Sequence, residues 1–151
     1  MNISWLGLHL GLILLGLAAL LTAVTSAMLY LLQSAQLKSK HPGVLFFRLP
    51  SLDFLDRVHF AALTWGTLLF TLGILSGVLW ARSLSQLGEM LNDKKAILSS
   101  AACLLYWGIL GLRLSSLRRG HKIAVGTLLV FVLLFVAILS SHSISRYPGK
   151  L

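Results

Sequence analysis

Apolar residues along this chain come in long unbroken runs, and short polar and basic segments separate them. A helix rises about 1.5 Å per residue, so about 20 apolar residues cross a hydrocarbon core of about 30 Å. Four segments serve as spans, at 5–32, 58–81, 96–112 and 123–141, the third being the shortest. The pattern predicts an all-α fold: an integral membrane four-helix bundle, one transmembrane domain over residues 1–151. The first run lacks a basic flank and far exceeds the ~7–15-residue apolar core of a signal peptide, so it reads as a retained helix. No repeat, low-complexity tract or long linker divides the chain.

Composition agrees with this pattern. Apolar residues make up 57% and charged residues 11%, against about 25% charged in a soluble domain. Mean hydropathy is +0.87. Thirteen Lys and Arg against four acids give a formal charge of +9, which in a soluble chain would suggest nucleic acid. Here the cations lie between apolar runs, where they fix topology and meet anionic lipid, so lipid and not nucleic acid is the expected partner. The first connection carries Lys38, Lys40, Arg48 and Arg57, and the third Arg113, Arg118, Arg119 and Lys122. The middle one mixes Arg82, Lys94 and Lys95 with Glu89 and Asp93. The positive-inside rule then places the first and third loops in the cytoplasm and both termini outside. The expected location is the inner (plasma) membrane, as a multi-pass protein.

Within the first connection, Ser51 followed by Asp53 and Asp56 has the chemistry of a helix start. The preceding "VLFFR" is apolar enough for a short interfacial helix. Gly73 and Gly77 form a GxxxG with Gly66 one heptad earlier, a stripe suited to close helix packing or a flat ligand. Gly108 and Gly111 are expected to serve similarly on the third span. Trp5, Trp80 and Tyr147 fit an outer aromatic belt, with Trp65 and Trp107 deeper. The lone Cys103, inside an apolar segment, reads as a small packed residue.

The histidines carry the candidate chemistry. His9 lies about one turn into the first span and His142 at the end of the fourth, so topology puts both near the outer face. Two neutral imidazoles on facing helices can clamp a haem iron, with Arg146 and Lys150 placed to pair with propionates. Interfacial histidines also simply hydrogen-bond to headgroups or water, and both readings stand at this point. His59 and His121 form a weaker inner pair that could hold a second haem, although His121 sits in the basic cluster "RRGHK". No nucleophile–base arrangement, phosphate loop or carboxylate pair occurs in the spans, so no catalytic residue is assigned.

Several stretches taken in order resemble one family. "WLGLHLGLILLGL" through "YLLQ", "LPSLDFLDR", "FTLGILSGVLWA", "LNDKKAILSS" through "LYWGILGLRL", "RRGHKIAVG" and the closing "SSHS" are similar to motifs of the cytochrome c assembly protein family, the haem-handling membrane proteins of CcsA and HemX type. The match covers the C-terminal half of a typical member. The resemblance implies that His9 and His142 correspond to two externally placed axial haem ligands. The tryptophan-rich haem platform of that family has no counterpart here, and its buried histidine falls near Gly111.

The expected function is therefore membrane haem handling, with haem b held near the outer face by His9 and His142. The alternatives are a b-type haem electron-transfer subunit of a respiratory or quinone-linked complex, and a haem-free stabilising subunit. Another membrane protein, bearing the missing platform or belonging to such a complex, is the implied partner.

Overall fold

The computed structural model describes residues 3–38, 50–85, 88, 92–115 and 120–144, with side chains at 5–38, 50–85, 88, 92–94, 96–115, 120–136 and 138–139. The architecture is all-α, with four helices: α1 (Ile3–Lys38), α2 (Leu52–Ser83), α3 (Lys94–Ser115) and α4 (His121–Ile144). Among the described residues three are long and apolar enough to cross a membrane, over Trp5–Lys38, Leu52–Ser83 and Ala96–Ser115. In α4 the apolar stretch is His121–Val136. The "VLFFR" segment lies outside the described residues.

Helices extend beyond the apolar runs because local chemistry lets them. Backbone capping starts α2 at Leu52: the Ser51 Oγ accepts the Phe54 N–H at 3.3 Å. This satisfies a donor that the first turn cannot satisfy internally. Asp53 in that turn pairs with Arg57 one turn on, a surface contact contributing only tenths of a kcal/mol. At its far end α2 closes with the Leu84 N–H on the Trp80 carbonyl, and Ser85 adopts a positive φ of 57°.

Gly120 opens α4 at φ +111°, and its carbonyl accepts from the N–H groups of Ile123 and Ala124, each at 3.2 Å. A Cβ at this position would lie 2.7 Å from the Tyr30 hydroxyl. Gly120→Ala should therefore lower stability by about 1–2 kcal/mol through left-handed strain, read as a drop in thermal midpoint in detergent. An unchanged midpoint would mean that the α3–α4 connection relaxes freely.

The closest packing is between α1 and α2, which run antiparallel in constant register. His9 meets Gly77, Ile13 meets Gly73, Gly16 meets Phe70 and Leu20 meets Gly66. The spacing of three and four residues on both helices keeps one face of each turned to the other. A glycine at each of these levels, from one helix or the other, lets the backbones approach, as membrane helices require when lipid offers no hydrophobic drive between them. The GxxxG expectation thus finds its neighbour in α1. Gly108 and Gly111 depart from their expected role: both are exposed, with nothing within 4 Å of a Cβ there. The inward stripe of α3 is Ala102, Cys103, Tyr106 and Leu110, and the two glycines fall on its other side.

Further contacts join α3 to α4 and α4 to α1, with fewer between α2 and α3. The core gathers Leu20, Leu63, Phe70, Tyr106 and Leu134 at mid-length. Trp107 ties α3 to α2 by donating its indole N–H to the Thr71 Oγ1 at 3.0 Å. Buried Cys103 touches the same hydroxyl at 3.3 Å, in keeping with a small packed residue.

Candidate functional site

Above that core the four helices leave a cavity of about 630 Å³, within the ~300–1,000 Å³ typical of cofactor pockets. Leu17, Phe70 and Leu134 line it on the core side. His9 and Ile13 come from α1, and Ile74, Gly77 and Trp80 from α2. Ser99 and Ser100 come from α3, Ile138 from α4, and Asp93 from just before α3. The lining is mostly apolar with a few polar groups, the composition expected of a site that holds a large planar or aliphatic ligand.

His9 is the cavity's imidazole, and its hydrogen bonds define its chemistry. Its Nδ1 lies 2.9 Å from the Gly73 carbonyl oxygen and 3.0 Å from the Ser76 Oγ. A carbonyl can only accept, so Nδ1 carries a hydrogen, and in the neutral ring Nε2 then keeps its lone pair. Among the described residues Nε2 has no hydrogen-bond partner. A ring anchored through one nitrogen, with the other available among the described residues, has in its neutral state the form of a metal-ligating histidine held by a backbone carbonyl.

His59 presents the opposite case. It is buried at the other end of the bundle, and both its nitrogens are engaged. Arg113 Nη1 approaches Nδ1 at 3.5 Å, and Nε2 donates to the Thr127 Oγ1 at 3.1 Å; that hydroxyl in turn donates to the Ile123 carbonyl at 3.0 Å. Arg113 also forms an ion pair with Asp56 at 2.7 Å, donates to the Asp56 carbonyl at 3.2 Å, and stacks over Phe60 at 4.7 Å. The network ties α2, α3 and α4 together. His121, its proposed companion, is exposed at the start of α4.

The backbone of α4 runs through His142, one turn beyond the cavity-lining Ile138. The side chain of His142 lies outside the described residues, as do Arg146, Tyr147 and Lys150 altogether. The structure thus brings the helix segments bearing His9 and His142 to one end of the bundle and His59 to the other.

A family model described as cytochrome c assembly protein matches residues 2–147. The chain belongs to the cytochrome c assembly protein family. No match was found among curated proteins or among solved structures. Membership together with the three membrane-length helices makes this a membrane protein with a haem-related assembly role.

Two features of this family member were hidden from sequence reasoning. Ser76 looked like one small residue in "GILSG", and only the α1–α2 register places it under an imidazole. Asp56 looked like a second helix-start carboxylate, yet its partner lies 57 positions away. Gly77 carried a readable signal, because the GxxxG spacing marks a face where something must approach closely.

Proposed function

We propose that this chain holds one haem b near the extracytoplasmic face of the inner membrane, ligated axially by His9 and His142. The observation that carries this reading is the His9 ring, anchored at Nδ1 by the Gly73 carbonyl and lining a cofactor-sized cavity, with Nε2 unengaged among the described residues. The residues present fit the group: imidazole lone pairs suit haem iron, and Ile13, Phe70, Ile74 and Leu134 suit a porphyrin edge. Arg146, four positions after His142 in the sequence, is the proposed partner of a propionate. His59 and His121 are the weaker second pair, and the hydrogen bonds on both His59 nitrogens favour a structural role there.

When bound, the haem supplies a one-electron iron centre. The chain supplies the rest: His9 and His142 hold and orient, the apolar walls exclude water, and Gly77 leaves room for the His9 ring. The basic connections keep the first and third loops in the cytoplasm, so the cavity opens outward. The role is haem handling in cytochrome c assembly, with another membrane protein that bears a tryptophan-rich haem platform as the proposed partner. A redox subunit differs from a carrier in retaining haem through both oxidation states. A stabilising subunit differs from both in purifying colourless.

A reduced-minus-oxidised absorption spectrum of purified protein tests the reading. Wild type should show a low-spin b-type signal, and His9→Ala and His142→Ala should each lose most of it. A full signal in both variants excludes the axial pair. Transfer of haem to an acceptor protein then separates carrier from redox centre.

A further inference from the structure

We propose that Ser76 is a positioning residue for His9: with the Gly73 carbonyl it holds the imidazole in the Nδ1–H form, whose free Nε2 can bind iron. The proposal rests on the reading of His9 as a ligand, but its central observation does not require haem. Free histidine favours the Nε2–H tautomer, which would leave the wrong nitrogen available. On α1 the Nδ1 faces two acceptors. One is the Gly73 carbonyl at 2.9 Å, and the other is the Ser76 Oγ at 3.0 Å.

Ser76 acts as an acceptor because its own hydrogen is committed. Its hydroxyl donates to the same Gly73 carbonyl at 2.7 Å, so its lone pairs are turned toward the ring. A lone pair on Nδ1 would meet lone pairs from both neighbours, and the alternative tautomer is disfavoured. The residue is 8% exposed, so water offers little competition for these bonds. Gly77 completes the seat: a Cβ there would lie 2.9 Å from the His9 Cε1, so glycine lets the ring rest against α2. Three residues within five positions of α2 thus set the ring's place, its plane and its proton.

Such outer hydrogen bonds raise ligand basicity, and their loss typically weakens metal binding 10–100-fold. Because the Gly73 carbonyl remains, Ser76→Ala should fall near the low end, with about tenfold faster haem loss to an acceptor protein. Its midpoint potential should rise as the imidazole becomes a poorer donor. The decisive readout is made without haem, by nitrogen NMR of histidine-labelled protein. Wild-type His9 should be in the Nδ1–H form, Ser76→Ala should shift it toward Nε2–H, and Ser76→Thr, which keeps the hydroxyl, should restore it. Ser76→Cys, with a weak thiol acceptor, should move it the same way as alanine if the alanine protein does not accumulate. A His9 tautomer unchanged in the alanine and cysteine variants overturns the proposal whatever the haem does. A His9→Ala protein that keeps its haem signal, while wild-type His9 holds the Nδ1–H form, overturns the ligand reading alone.

Discussion

Replacing Arg113 with methionine should destabilise the bundle by about 3–5 kcal/mol, the cost of stranding one member of a buried ion pair. The side chains of Arg113 and Asp56 are only 8% and 15% exposed. Removal of the guanidinium leaves the Asp56 carboxylate without its cation and the Asp56 carbonyl without a donor. It also takes the donor from the His59 Nδ1 and the cation from the Phe60 ring. The double variant Asp56→Asn/Arg113→Met should recover much of this loss, because no charge is then left unpaired. Thermal midpoints of the two singles and the double in one detergent give the coupling. A single-variant cost below about 1 kcal/mol would mean the pair behaves as a surface salt bridge. On the proposed haem reading, the signal of folded Arg113→Met should persist, because the network lies at the opposite end of α2 from the cavity.

Gly16→Ala should be the most damaging single-methyl addition in the bundle. The new Cβ would lie 2.8 Å from the Phe70 backbone nitrogen, and backbone cannot step aside as a side-chain tip can. The helices must separate or shift register, which typically costs about 1–3 kcal/mol for an overpacked core. Phe70 also lines the cavity, and His9 lies two turns from Gly16 on the same face, so on the proposed reading haem retention should fall with stability. Gly111→Ala is the control. With open space around it, alanine meets no neighbour and removes the glycine penalty of about 1 kcal/mol in a helix interior. Thermal midpoints should therefore fall for Gly16→Ala and hold or rise for Gly111→Ala. Equal losses in both would show that helix propensity and not close packing governs these sites.

Much of the candidate site was legible because its signals are local or compositional. His9 stands out as an ionisable group within an apolar run, and such groups are functional candidates by default. Gly73 and Gly77 announce a close approach by their spacing. What could not be read was which surface meets each stripe. Gly108 and Gly111 have similar small-residue character, yet they face away from the other helices. His59 and His9 look alike as residues near the starts of apolar runs. One ends with both nitrogens occupied and the other with one free, and that contrast arises from neighbours on other helices.

The linear order of residues by itself determined the helical class, the long apolar segments, the basic character of the connections between them and the capping of α2 at Ser51. Each of these follows from residues adjacent in the chain or one turn apart, where hydrogen-bond and dipole rules act over a few ångströms. The packing of four helices alone decided the rest: the register that sets Gly77 against His9, the Ser76 hydroxyl beneath Nδ1, and the Asp56–Arg113 pair. These contacts join positions 57–68 residues apart, so they depend on the relative rotation and translation of whole helices. No local pattern specifies that rotation; it is set by the best joint fit of all the facing side chains.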